Sequence, residues 1–299
     1  MFVEANGQRF EVETWGSGDR LALCLHGFPE LAYSWRFQAP LLVELGYRVW
    51  APNQRGYGAS SRPRATSAYR IDNLMNDVAA LIDASGATSV TLIAHDWGAI
   101  VAWWFAIRRL RPLERLVIMN VPHPALFRLG KVGLRQMLRS WYVGFFQIPW
   151  LPEQLLGRDD AAPIAHLIRG SSADRSRFPR DVLDVYRRNA AQPGALTAMF
   201  AWYRANFGRG GLRAQYALGV PGIDVPTLML WGERDTALGI ETTYGTEKHV
   251  RDLTLRYLPG VSHWVQQEAP ETVNTMLAAF LCNEPVPYAP GAHERPSAN

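Results

Sequence analysis

Two carboxylates and one imidazole occupy comparable places in this sequence, each just past an apolar run of the kind that makes a buried strand. Asp96 follows the run 90–93 and sits between Ala94 and Gly98, with an apolar helical segment over 99–110 behind it. Asp235, in GERD, follows 225–231, and His263, in SHW, follows 253–258. Small residues on both sides of Asp96 allow a sharp strand-to-helix turn without Cβ clashes. Such a turn lifts the carboxylate above the carboxyl ends of the strands, where open sheets hold their ligands. A carboxylate there does what a serine cannot. Serine attack on an alkyl carbon leaves an ether, which water and imidazole do not cleave; carboxylate attack leaves an ester, which they do. Asp96 would bond to carbon, His263 would activate water, and Asp235 would fix the imidazole's tautomer and stabilise its charged form. Singly, an Asp after a strand more often caps a turn and a lone His is more often a hydrogen-bonded structural group. The inference rests on the three in order. The oxyanion formed on hydrolysis needs donors, and the backbone N–H groups of Phe28 and Trp97 are in the expected positions.

The surrounding elements must bring these residues together. Residues 1–15 alternate about Asn6-Gly7 and predict a hairpin. Apolar runs at 20–25, 47–51, 90–93, 116–119, 225–231 and 253–258 predict buried strands, with helices over 36–45, 74–84, 99–110, 241–250 and 271–282, the second with Asp72 or Asn73 near its N-cap. Strands this apolar in βαβα order make a mainly parallel sheet covered on both faces. The rhythm breaks at Asn120. Residues 121–220 are helical and aromatic with no convincing strand, so the sequence reads as a core of 1–120 and 221–285, a helical cap over 121–220, and an irregular Pro-rich tail over 286–299.

Composition narrows the function classes. With 299 residues, 48% of them hydrophobic, the chain can bury one large core. The net charge is +4 and nearly all basic residues are arginine, since Lys131 and Lys248 are the only lysines. An Arg-rich stretch over 169–180 has no nucleic-acid recognition module beside it and reads as a solvated loop, so no nucleic-acid partner is expected. Cys24 and Cys282 are the only cysteines and read as reduced core thiols of a cytoplasmic protein. The N-terminus reads as a strand and not a signal peptide, and no uncharged apolar stretch is long enough for a membrane span. No Cys or His grouping has metal-ligand spacing, and no glycine-rich dinucleotide loop follows a strand, so neither metal nor cofactor is expected.

The order nucleophile, acid, histidine on strand ends is that of α/β-hydrolases. The sequence resembles the epoxide hydrolases of that superfamily. HGFPE at 26–30, RGYGASS at 55–61, HDWGA at 95–99, NVPHP at 120–124, WYRAN at 202–206, GERD at 232–235 and SHWVQQEAPETVN at 262–274 match family motifs and span most of the chain. The resemblance implies an α/β-hydrolase fold with an inserted cap, a small apolar epoxide and water as substrates, a vicinal diol as product, and a role in detoxification. It also implies two cap tyrosines that bind and protonate the epoxide oxygen: Tyr142, ahead of Phe146-Gln147, and Tyr203, in Trp-Tyr-Arg. Two departures stand out. Ala94 replaces a usual glycine, and the segment around Tyr142 lacks the family's frequent Gln-Glu-Pro-Gly ending. Phe28, Pro29, Trp97, Trp141, Phe146 and Phe200 are the expected pocket walls; Trp141, Phe146 and Phe200 belong to a cap stripe with Phe145, Trp150, Trp202 and Phe207, about half of which reads as core. The alternatives are a haloalkane dehalogenase, in which the Trp97 indole would hold halide but Phe28 replaces the usual Asn donor, and a binding protein without turnover. His26, His95 and His123 lie near the site and read as structural. Monomer and homodimer both stay open.

Overall fold

The computed structural model describes residues 1–127, 133–208 and 210–292. Strands β1 (Phe2–Ala5) and β2 (Gln8–Trp15) form the expected hairpin. Its two turn residues, Asn6 and Gly7, have φ of 48° and 66°, the left-handed pair that a two-residue hairpin turn requires. Then follow β3 (Arg20–Leu25), α1 (Gln38–Glu44), β4 (Arg48–Pro52), α2 (Ile71–Ser85), β5 (Ser89–His95), α3 (Asp96–Arg108) and β6 (Arg115–Met119). Among the described residues seven α-helices succeed one another before the sheet resumes: α4 (Leu134–Arg139), α5 (Trp141–Phe145), α6 (Leu151–Leu156), α7 (Arg158–Ser171), α8 (Arg180–Ala190), α9 (Ala195–Phe207) and α10 (Gly211–Ala217). β7 (Thr227–Gly232), β8 (Leu253–Leu258), α11 (Val265–Glu268) and α12 (Pro270–Leu281) complete the order.

The eight strands form one sheet in the order β1-β2-β4-β3-β5-β6-β7-β8, antiparallel at β1 and β2 and parallel from β4 to β8. Each inner strand feeds two cores by simple alternation. Leu92 and Ala94 point into one and Ile93 into the other; Met229 and Trp231 oppose Leu228 and Leu230. Helices therefore cover both faces, and the parallel strands deliver their carboxyl ends to a single rim. Among the described residues, no helix is long and apolar enough to cross a membrane.

Two local expectations need correction. Residues 241–250 are not an α-helix. They form two 3-10 turns, Ile240–Thr243 and Thr246–Lys248, separated by Gly245 at φ 90°. The hydroxyls of Thr242, Thr243 and Thr246 each donate to the carbonyl three residues back, a competing bond that favours such turns over a helix. α2 starts earlier than expected: Arg70 is its N-cap and makes no side-chain cap bond, while Asp72 lies in its first turn. The tail carries no helix or strand over 283–292, yet Val286 and Ala289 are buried on the core; residues 293–299 lie outside the described residues.

Candidate active site

Asp96 opens α3 immediately after β5, at φ 46°, a backbone conformation that costs a non-glycine residue about 1 kcal/mol or more. The turn survives because its neighbours are packed to it. The Gly98 N–H donates to the His26 carbonyl at 3.1 Å, and a Cβ at Gly98 would sit 2.3 Å from the Leu25 carbonyl oxygen. A Cβ at Gly27 would fall 2.4 Å from that of Asp96. These two glycines let the loop after β3 press against the turn, and that loop brings a donor: the Phe28 N–H reaches Asp96 Oδ1 at 2.7 Å. The N–H of Trp97 belongs to the first turn of α3, whose amides have no partner within the helix and favour negative charge.

Asp235 and His263 meet Asp96 from the neighbouring strand ends. His263 Nδ1 lies 2.7 Å from Asp235 Oδ2, and His263 Nε2 lies 3.5 Å from Asp96 Oδ2. The sequence placed these three residues 139 and 28 positions apart; the sheet order makes their strands β5, β7 and β8 near neighbours. Burial alone would push the His263 imidazolium down, but the carboxylates of Asp235 and Asp96 outweigh it and hold His263 well above its ordinary value. Burial would raise both carboxyls, and the imidazole overcomes that too, keeping Asp96 and Asp235 below theirs. The resting site is thus an imidazolium between two carboxylates.

Sequence reasoning did not find the groups that hold this trio. Asn120, at the end of β6 with φ 50°, donates from Nδ2 to Asp235 Oδ2 at 2.7 Å and accepts the Gly232 N–H at 3.1 Å. The other Asp235 oxygen accepts the N–H groups of Ala237 and Leu238. Beneath the turn, the wholly buried Glu30 carboxylate accepts from the Gly27 N–H, His95 Nδ1 and the side-chain amides of Gln266 and Gln267, all within 3.0 Å. The far nitrogen of His95 is 2.8 Å from the His263 carbonyl. His95 therefore ties the Asp96 turn to the His263 loop. The motifs HGFPE and SHWVQQE marked these positions, but nothing in their spacing shows that Glu30 meets Gln266 and Gln267. His26 accepts the Gln54 N–H and lies against the Gly27 carbonyl, and His123 accepts the Ala125 N–H and stacks on His249.

The cap roofs the carboxylate. A cavity of about 510 Å³ is lined by Asp96, Trp97, Tyr142 and Tyr203, with Val121, Phe127, Phe207 and Tyr216 among its apolar walls. Tyr142 comes from α5 and Tyr203 from α9, and their ring centroids are 6.2 Å apart at 82°. Burial, then the nearby Asp96 carboxylate, raises both phenols far above their ordinary value, so both are neutral donors. Trp97 stands edge-on to Tyr203 at 5.0 Å. The other expected wall residues do not line this cavity. Phe28, Phe146 and Phe200 form a buried aromatic cluster on the Tyr203 ring, with Phe146 stacked on Phe200 at 4.6 Å, and Pro29 is buried in the loop beside Phe28. Trp141 is 67% exposed. One step along a helix turns a side chain by about 100°, so α5 aims Tyr142 inward and Trp141 out.

Comparison with known proteins agrees with this geometry. The family model described as the alpha/beta hydrolase fold matches residues 23–270. The chain is 37% identical to the AB hydrolase superfamily protein YfhM of Bacillus subtilis, over 95% of this chain and 98% of that one. It is 35% identical to human epoxide hydrolase 4, covering 94% of this chain and 78% of the relative. The crystal structure of a Bacillus megaterium epoxide hydrolase bound to an inhibitor superposes with a TM-score of 0.86 at 28% identity, covering 94% of this chain and all of that one.

Proposed function

Because the chain belongs to the epoxide hydrolase family of the α/β-hydrolase superfamily and converts an epoxide and water to a diol, we propose that Asp96, His263, Asp235, Tyr142 and Tyr203 carry that reaction through an ester on Asp96. The observation that supports it most is the placing of one carboxylate between an imidazole at 3.5 Å and a cavity into which two neutral phenols project.

In the first step Asp96 Oδ2 bonds to an epoxide carbon, the carbon–oxygen bond breaks, and the leaving oxygen takes a proton from a cap phenol. Tyr142 and Tyr203 hold that oxygen away from the attacking carboxylate, which orients in-line displacement. Ester formation removes the negative charge of Asp96, and with it one of the two carboxylates that hold the proton on His263. The imidazolium then returns its proton to the phenolate and becomes a base. In the second step His263 Nε2 takes a proton from water while hydroxide adds to the ester carbonyl carbon. Negative charge builds on Oδ1, which already accepts the Phe28 N–H, with the Trp97 N–H as the second donor. Collapse expels the diol alkoxide, which is protonated by the imidazolium, and the new carboxyl group passes its proton back to His263. Asp235 supports the imidazolium throughout, itself pinned by Asn120 and two backbone amides.

The apolar walls favour a hydrophobic epoxide. A cytoplasmic setting is supported by two unpaired thiols, Cys24 buried in β3 and Cys282, which is exposed after α12 and not in the core as expected because it follows the last turn of that helix. The boundaries 121–220 for the cap are supported by the run of helices, and no strand, among the described residues between β6 and β7. The test is a single turnover of styrene oxide with excess enzyme pre-equilibrated in ordinary water and then diluted into oxygen-18 water. The diol is expected to carry an unlabelled new oxygen, taken from Asp96, and the label is expected to appear in the Asp96 carboxylate. Label in the first-formed diol, or bromide release from a bromoalkane without diol formation from the epoxide, would overturn the ester route as drawn.

A further inference from the structure

The helix that precedes Tyr142 is built inside out. In α4 the one buried residue is polar: Gln136 donates to the Ala237 carbonyl at 2.8 Å and accepts the Gly239 N–H at 2.8 Å. Its apolar residues face water instead. Leu134, Met137 and Leu138 share one face of α4, and Trp141, the first residue of α5, follows Leu138 by three positions across Ser140. Ile148 and Trp150 lie just beyond, and all six are between 43% and 73% exposed. These six are half of the twelve exposed large hydrophobics among the described residues, gathered within seventeen positions. Single exposed apolar residues are ordinary, but a contiguous face marks a surface that something covers.

From this face we infer that the cap docks on an anionic lipid surface through α4 and α5. Charge selects this occupant. The sequence from 127 to 152, in which Arg128 and Lys131 lie outside the described residues, contains four basic residues and no acidic one. Of these, Arg135 is exposed on α4, and Arg139 is partly buried with its guanidinium 4.0 Å from Glu241. Leucines and tryptophans on one face with arginine at its edge match the composition of helices that lie in a membrane interface, where apolar side chains enter the acyl boundary and cations meet phosphate headgroups. A second copy suits the face less well. Two-fold pairing would set the same patch against itself and bring Arg135 and Arg139 near their counterparts. The position also suits the chemistry, a point that rests on the epoxide reading above. Tyr142 and Val143 of the cavity wall follow Trp141 directly, so docking would set the cavity beside a phase in which apolar epoxides concentrate.

The experiment is co-sedimentation of the full chain with vesicles of phosphatidylcholine alone and of phosphatidylcholine with 30% phosphatidylglycerol. Leu138→Ser/Trp141→Ser and Arg135→Glu are compared with wild type, with styrene oxide hydrolysis measured in vesicle-free buffer. Wild type is expected to bind the anionic vesicles at least ten-fold more tightly than the neutral ones, and to release in 0.5 M salt. The double variant is expected to lose at least ten-fold in binding and Arg135→Glu a smaller factor. All three should hydrolyse styrene oxide within two-fold of each other, which shows that they are folded. Failure of wild type to sediment with anionic vesicles would overturn the proposal, as would undiminished binding by the double variant. So would dissociation of a wild-type dimer by the same substitutions without vesicle binding, which would assign the face to a second copy. Absence of hydrolysis by the wild type in buffer would count against the epoxide reading and not against docking.

Discussion

Replacing Asp96 by Asn removes the charge that ester formation removes, while keeping the shape and the acceptor for the Phe28 N–H. The consequence should be readable on His263. Its Nε2 lies 3.5 Å from Asp96 Oδ2, and Asp96 is largely shielded from water. At an effective dielectric constant of about 20, that pair is worth roughly 4–5 kcal/mol. The partial exposure of Asp96 trims this without cancelling it, so the titration midpoint of His263 is expected to fall. Asp235, at 2.7 Å, remains and keeps part of the upward shift. The assay is an NMR titration of protein labelled at histidine Cε1, with the His263 signal identified by its loss in His263→Gln. In wild type the resonance should stay that of imidazolium from pH 5 to pH 8. In Asp96→Asn its midpoint should fall into that range or below it. A change below half a unit would refute the reasoning that neutralising Asp96 frees His263 to act as a base, because the coupling that the short distance demands would be missing.

Glu30→Ala leaves four donors without their acceptor in a buried site, one of them the His95 imidazole. It should cost about 3–5 kcal/mol of stability by urea unfolding; a loss under 1 kcal/mol would contradict the hub. Burial holds His26 down to about 4, and burial with the charge of His249 holds His123 down to about 3, against about 6.5 for each in the unfolded chain. Their contribution is complete above the unfolded value and is lost as pH falls below it, since only the unfolded chain then takes up protons. His263, shifted the other way, returns less than about 1 kcal/mol over the same interval, so urea unfolding at pH 7 and pH 5 should differ by about 3 kcal/mol; equal stabilities would refute the assignment. Tyr203→Phe should lower kcat/KM for styrene oxide by about 100-fold or more, and Tyr142→Phe likewise; an unchanged rate for either would remove that phenol from the reaction.

The sequence alone determined the pieces whose causes are local. Apolar runs gave six of the strands within a residue or two, because a strand buried on both faces has to be apolar throughout. The trio Asp96, Asp235 and His263 was legible because each stands directly after such a run, and the parallel order sends all those ends to one rim. Tyr203 and Tyr142 came from motif likeness, since helical periodicity cannot tell one amphipathic tyrosine from another. What only the tertiary structure decided is which groups meet across long separations and which side of a short helix is covered. Glu30 meets Gln266 and Gln267 more than two hundred residues away, and Asn120 meets Asp235 across adjacent strand ends. Trp141 and Tyr142 are neighbours in sequence, yet one faces water and the other the cavity. An apolar side chain records only a preference for burial. Whether a neighbour covers it depends on packing set by the entire chain, and in α4 that packing buries a glutamine and leaves the leucines outside.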